Sequence, residues 1–159
     1  MALISDTGLR LSEALGLSCG DVCLDTPHPY AVIEPKPWRR LKTSDSERLI
    51  PLVGEALWAA QRATDASITG YLFPSYCDGE TTKANSASAA LNKWLKAHVS
   101  RDVVVHSLRH AMRDRLRAVE CPTDIIDQIG GWSRKGVGAS YGRGYQVEQL
   151  WGWMARAVT

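Results

Sequence analysis

Two short stretches read as strand, and most of the other apolar residues recur at helical spacing. The first stretch is Tyr30-Ala31-Val32-Ile33, set off by Pro27 and Pro29. The second pairs Leu41-Lys42-Thr43 with Arg48-Leu49-Ile50 across Ser44-Asp45-Ser46-Glu47, which reads as a hairpin turn, with Pro51 ending the strand. So little strand allows only one small antiparallel sheet in a mainly helical chain, an α+β fold. Thr7-Gly8 reads as a turn into a helix carrying Leu11, Ala14, Leu15 and Leu17. A helix is expected over 53–66 (Leu57, Trp58, Gln61) and another over 84–98 with Ala87, Leu91, Trp94 and Leu95 facing inward. Helices over 106–120 and 123–130 follow, the latter with Thr123 as its N-cap. Glycines make 130–144 a backbone-permissive connection that carries Tyr141 and leads to Tyr145. Beyond it, Val147, Leu150, Trp151, Met154 and Val158 form a helical stripe. That stripe suits packing on its own domain and docking on a neighbouring subunit equally.

At 159 residues the chain makes one domain, able to bury roughly two-thirds of its unfolded surface without a staple. No apolar run approaches the roughly 18 residues of a membrane span, and no signal peptide is visible, so a cytoplasmic chain is expected. Cys19, Cys23, Cys77 and Cys121 lack the spacing of a metal site and read as reduced thiols. No glycine-rich phosphate loop joins a strand to a helix, which argues against a nucleotide-binding fold. Neither metal nor cofactor is expected.

The net charge of +2 is modest, but the cations are clustered. Lys36, Arg39, Arg40 and Lys42 form one group, Arg109, Arg113, Arg115 and Arg117 a second, and Arg134, Lys135 and Arg143 a third. Interleaved with Trp38, Trp132 and Tyr141, they point towards a polyanion.

Three local patterns narrow that reading. In Thr7-Gly8-Leu9-Arg10-Leu11-Ser12-Glu13 an arginine opens an amphipathic helix, where it could simply pair with Asp6 or Glu13. In His106-Ser107-Leu108-Arg109-His110, His106 and Arg109 share a helix face. Gly131-Trp132 is followed nine residues later by Tyr141. Each has an ordinary structural explanation alone. Taken in order, with the lysine of RRLKTSDSERLIPL between the first two, they resemble the tyrosine recombinase (phage integrase) family over nearly the whole chain.

The resemblance implies a catalytic domain, mostly helical with a three-stranded antiparallel sheet. It assigns Arg10 and Arg109 to the family's two arginines, Lys42 to the hairpin lysine, His106 to the first histidine and Trp132 to the His-or-Trp position. Tyr141 takes the place of the nucleophile, with Tyr145 a competitor whose distance from Trp132 fits worse. Lys36 competes with Lys42, and His110 is a supporting residue. Arg39, Arg40, Arg134, Lys135 and Arg143 are expected to contact DNA phosphates.

The chemistry asks for these residue types. A tyrosine hydroxyl can hold a DNA end covalently, but ionising it at pH 7 costs roughly 4 kcal/mol without help. His106 can take that proton, and arginine forks suit the non-bridging phosphate oxygens. The Trp132 indole can donate to the same phosphate, and Lys42 can protonate the departing 5′-oxygen.

The implied activity is site-specific recombination or integration through a 3′-phosphotyrosyl intermediate on double-stranded DNA, with self-association into a tetramer on DNA. The alternatives are type IB topoisomerase-like relaxation, or a non-catalytic DNA-binding module of the same fold. Only nine residues precede Arg10, so the family's separate DNA-clamping domain and the first catalytic-domain helix are expected to be missing. Leu3, Ile4 and Leu9 are then expected to pack poorly.

Overall fold

Glycine in a left-handed conformation sets the first turn of the structure. The computed structural model describes residues 1–43, 46–132 and 144–159. Helix α1 (Ala2–Thr7) ends at Gly8, whose φ of 67° no L side chain adopts cheaply, and α2 (Leu11–Leu15) starts immediately beyond. A 3-10 turn (Cys19–Asp21) leads into β1 (Val22–Cys23), β2 (Tyr30–Ile33) and β3 (Arg48–Pro51). The remaining helices are α3 (Gly54–Asp65), α4 (Ala84–His98), α5 (Val105–Ala118), α6 (Thr123–Gly130) and α7 (Val147–Val158).

The three strands form one antiparallel sheet in the order β1-β2-β3, with Val22 opposite Ala31 and Ala31 opposite Ile50. Alternation places Ala31, Ile33 and Ile50 in the interior and leaves Leu49 exposed. Around this inner face, Leu9, Leu17, Leu52, Met112, Leu116, Ile129, Leu150 and Met154 complete a continuous core. Helix α1 packs on α3 and α5, and α7 on α5 and β3. No helix among the described residues is long and apolar enough to cross a membrane.

Several expectations need correction. The strand opposite β3 is β2 rather than 41–43, so the hairpin is joined by the long connection 34–47, and Lys42 lies in that connection. The register follows from burial, because only the Tyr30–Ile33 run offers apolar residues on alternate positions. Leu3, Ile4 and Leu9 are not poorly packed; all three are buried, the first two on α1, which packs against α3 and α5, and Leu9 just beyond Gly8. Trp94 and Trp58 face solvent, because α4 and α3 turn their small residues Ala87, Ala56 and Ala60 inward. Thr123 is the first residue of α6, preceded by Pro122, and makes no capping hydrogen bond. Of the two placements open for the last helix, the structure shows α7 on its own domain, with Leu150, Met154 and Ala157 buried. Residues 133–143 of the glycine-rich connection lie outside the described residues.

Met154→Ala tests this packing of α7. It removes a fully buried side chain and should cost about 2–5 kcal/mol, read as a lower urea midpoint. An unchanged midpoint would mean that α7 does not close the core in solution.

Candidate functional site

The site is assembled on a buried carboxylate. Glu13, on α2, is 1% exposed. Its Oε2 accepts from the Arg10 backbone N–H at 2.9 Å, and its Oε1 accepts from Arg10 Nη1 at 2.6 Å. The second cation on it is Arg48 at the start of β3, whose Nη2 donates to Oε2 at 3.0 Å. Burial alone would push the Glu13 carboxyl up, but the Arg48 charge, with hydrogen bonds from Arg48 and Arg10, brings it below its ordinary 4.5.

Arg10 is fixed on three sides. Besides Glu13, its Nη1 donates to Ser46 Oγ at 3.0 Å and its Nη2 to the Gly131 carbonyl at 3.1 Å. Arg109 comes from α5 and is 3% exposed, donating from Nη1 to the Gly8 carbonyl and from Nη2 to the Gly130 carbonyl. These partners are neutral, so they orient the guanidinium without cancelling its charge. Burial, then the nearby Arg10 guanidinium, pulls Arg109 down to about 10, still protonated at neutral pH. Arg10 and Arg48 share this one buried carboxylate while Arg109 pairs with none among the described residues, a cationic excess that suits an anion.

His106 lies one helical turn before Arg109, and both border a cavity of about 160 Å³ shared with Leu9, Leu11, Ser88 and Val105. Its pKa is lowered below 6.5, first by burial and then by the charges of His110, Arg109, Arg10 and Lys42. It is therefore neutral at pH 7 and able to accept a proton. His110 meets it edge-on, with ring centres 4.8 Å apart. Trp132 follows α6, its backbone N–H bonded to the Asp127 carbonyl at 3.0 Å. Its ring lies 4.4 Å from the Arg109 guanidinium and 4.6 Å from that of Arg113.

Lys42 is exposed in the β2–β3 connection, while its competitor Lys36 is tied to Glu34 at 2.5 Å and Asp21 at 3.6 Å. The neighbour of Lys42, Thr43, meets Ser46 Oγ at 3.1 Å, and Ser46 Oγ accepts from Arg10 at 3.0 Å, so this stretch of the connection runs beside the site. A phosphate contact from Arg39 does not fit the structure. Arg39 is 1% exposed and spends its N–H groups on the Glu34 carbonyl, the Gly16 carbonyl and Asp21. Arg40 is exposed and borders an open groove with Ser12, Trp38 and Thr82. Tyr145 donates its hydroxyl to Asp124, at the opposite end of α6 from Trp132. Eight residues of helix put those ends roughly 12 Å apart, which counts against Tyr145 as the nucleophile. Tyr141, Arg134, Lys135 and Arg143 lie outside the described residues. Among the described residues, no three His, Cys, Asp or Glu side chains gather as metal ligands.

Arg48 and Ser46 are not singled out as site residues from the sequence, Arg113 appears there only as a member of a basic cluster, and Glu13 only as a possible partner of Arg10, a pairing the structure shows. Arg113 had a usable signal, since it lies four residues after Arg109 and so on the same helix face. Arg48 opens an otherwise apolar strand, a position that signals a buried charge only once the fold is known.

The model of the Phage integrase family matches residues 1–145. The chain belongs to the phage integrase family. Among solved structures, it is similar to the Tn1549 transposon integrase in complex with transposon right end DNA, with a TM-score of 0.62 at 18% identity. That match covers 96% of this chain and 52% of the other. It is also similar to the Tn1549 integrase in complex with a circular intermediate DNA, with a TM-score of 0.61 at 18% identity, covering 87% and 54% of the two chains. The shared fold is that of the integrase catalytic domain, and this chain spans about half the length of those integrase chains. The comparison with curated proteins gave no match.

In this phage integrase domain, Glu13→Gln should destabilise the fold by about 3–5 kcal/mol at pH 7, because it leaves Arg48 buried without its counter-charge. The folded pKa of Glu13 is depressed, so its stabilisation is present above the unfolded value of 4.5 and is lost as pH falls through the folded one. Denaturation across this range should accordingly show the wild type losing its advantage over Glu13→Gln on acidification. A constant gap between the two would contradict the ion-pair assignment.

Proposed function

We propose that this chain is the catalytic part of a DNA strand transferase acting in site-specific recombination or integration of a mobile element. The observation that carries the reading is the convergence of Arg10 and Arg109, with one buried carboxylate held by Arg10 and Arg48, beside a neutral His106. Such a site suits a phosphodiester whose charge rises in the transition state. The Tn1549 integrase complexes with transposon right end and circular intermediate DNA support DNA as the substrate.

In the proposed reaction, Arg10 and Arg109 hold the non-bridging oxygens, and Trp132 braces the Arg109 guanidinium against its ring and offers its indole N–H. His106 removes the hydroxyl proton of Tyr141 as the phenolic oxygen attacks phosphorus. The bond from phosphorus to the 5′-oxygen breaks, and Lys42 supplies the proton that leaves a free 5′-hydroxyl. The 3′-phosphotyrosyl bond conserves the linkage, and a second 5′-hydroxyl reverses the step. Arg40, Arg134, Lys135 and Arg143 are assigned to phosphates along double-stranded DNA, where binding should weaken with salt. Assembly of copies on DNA, as a tetramer, belongs to the same proposal.

Covalent trapping tests it. The protein is mixed with nicked fragments of its source genome and quenched in SDS, with Tyr141→Phe alongside. The expected outcome is an adduct from the wild type and none from Tyr141→Phe, with salt-sensitive DNA binding equal in both. His106→Ala should slow adduct formation by about 10²–10⁴-fold, and the acid limb of the wild-type rate should lie below pH 6.5. Adducts that persist in Tyr141→Phe would overturn the assignment, and binding without any adduct would favour a non-catalytic DNA-binding module.

A further inference from the structure

Every side-chain partner of Arg10 is also a neighbour of Arg48. Glu13 takes Arg10 on one side and Arg48 on the other, at 3.0 Å from Nη2 and 3.4 Å from Nη1. Ser46 accepts from Arg10 through its hydroxyl and from Arg48 Nη1 through its carbonyl, at 2.6 Å. Gly131 accepts from Arg10 Nη2, and Arg48 Nη1 presses so close that a Cβ there would lie 2.8 Å away. One residue pair earlier in that turn, the Ile129 carbonyl accepts from Arg48 Nε at 2.8 Å. Ser46 also meets Thr43 Oγ1 at 3.1 Å, beside Lys42. One rigid fork therefore ties together α2, the lysine-bearing connection and the end of α6.

We propose that Arg48 is the positioning residue for Arg10: it fixes the three groups that aim the Arg10 guanidinium and never touches DNA itself. It is 8% exposed with its donors turned inward, which leaves it no path to a phosphate. A lysine at this position keeps the charge but cannot make Nε, Nη1 and Nη2 contacts at fixed angles. The role at a scissile phosphate rests on the function proposed above; the aiming of Arg10 does not.

The test uses Arg48→Lys, with Arg48→Gln as a second variant, in two measurements. The first is side-chain nitrogen NMR of Arg10 in the free protein. The wild type should show separate, slowly exchanging Nη–H signals, and Arg48→Lys should average them while near-native thermal unfolding shows the fold intact. The second is adduct formation on nicked genomic DNA and on matched duplexes with a neutral methylphosphonate at the trapped site. A methylphosphonate lacks the oxygen charge that Arg10 neutralises, so Arg48→Lys should lose at least tenfold on phosphate and markedly less on methylphosphonate. Equal losses on both, or unchanged Arg10 signals, would overturn the proposal, as would failure of both variants to fold, which would make Arg48 structural. A wild type that shows the Arg10 signals but forms no adduct would overturn the proposed reaction and leave the aiming of Arg10 supported.

Discussion

Glu13 is the constraint on which the site depends. A carboxylate buried to 1% exposure is costly unless cations and hydrogen bonds surround it, and here Arg10 and Arg48 supply both. Satisfying that one charge fixes the start of α2, the start of β3 and, through Arg10 and Arg48, the carbonyls at the end of α6. Three segments far apart in sequence are thereby brought into one place: α2 with Arg10, the end of α6 with Trp132 beyond it, and β3 with Arg48, which holds the other two in register.

The neutral half of the site follows the opposite rule. Arg109 is buried against the Gly8 and Gly130 carbonyls, which take its hydrogen bonds and leave its charge unmet. Both carbonyls are available because the chain reverses there through glycine, at Gly8 with φ 67° and at Gly131 with φ 60°. A side chain at Gly131 would also collide with Arg48. Positive charge kept this way is preorganised for an anion and needs no rearrangement when one arrives. Burial first, and then these same cations, lower the His106 pKa, so the field that suits a phosphate also helps prepare the base.

Much of this was legible in the residues. The helices over 84–98 and 123–130 were readable to the residue because Ala, Leu and Ile recur there at clean helical spacing. Arg10, His106, Arg109 and Trp132 were readable as a set through their order along the chain, and the structure brings them together. The hairpin was misread because Leu41-Lys42-Thr43 and Tyr30–Ile33 both look like strands locally, and only burial of Ala31 and Ile33 decides between them. Arg39 was misread for a related reason: a basic cluster looks the same in sequence whether its members face solvent or a buried Asp21. Arg48 was invisible because its partners lie 35 and 81 residues away, beyond any local pattern.

The most direct measurement of this account is the titration of the Glu13 side-chain carboxyl carbon by NMR in the free protein. Its resonance should stay at the ionised position as pH falls through 4.5 and move only at lower pH, together with the Arg10 and Arg48 side-chain nitrogen signals. A carboxyl that titrates at or above 4.5, or moves without the two arginines, would contradict a site assembled around Glu13 before DNA binds.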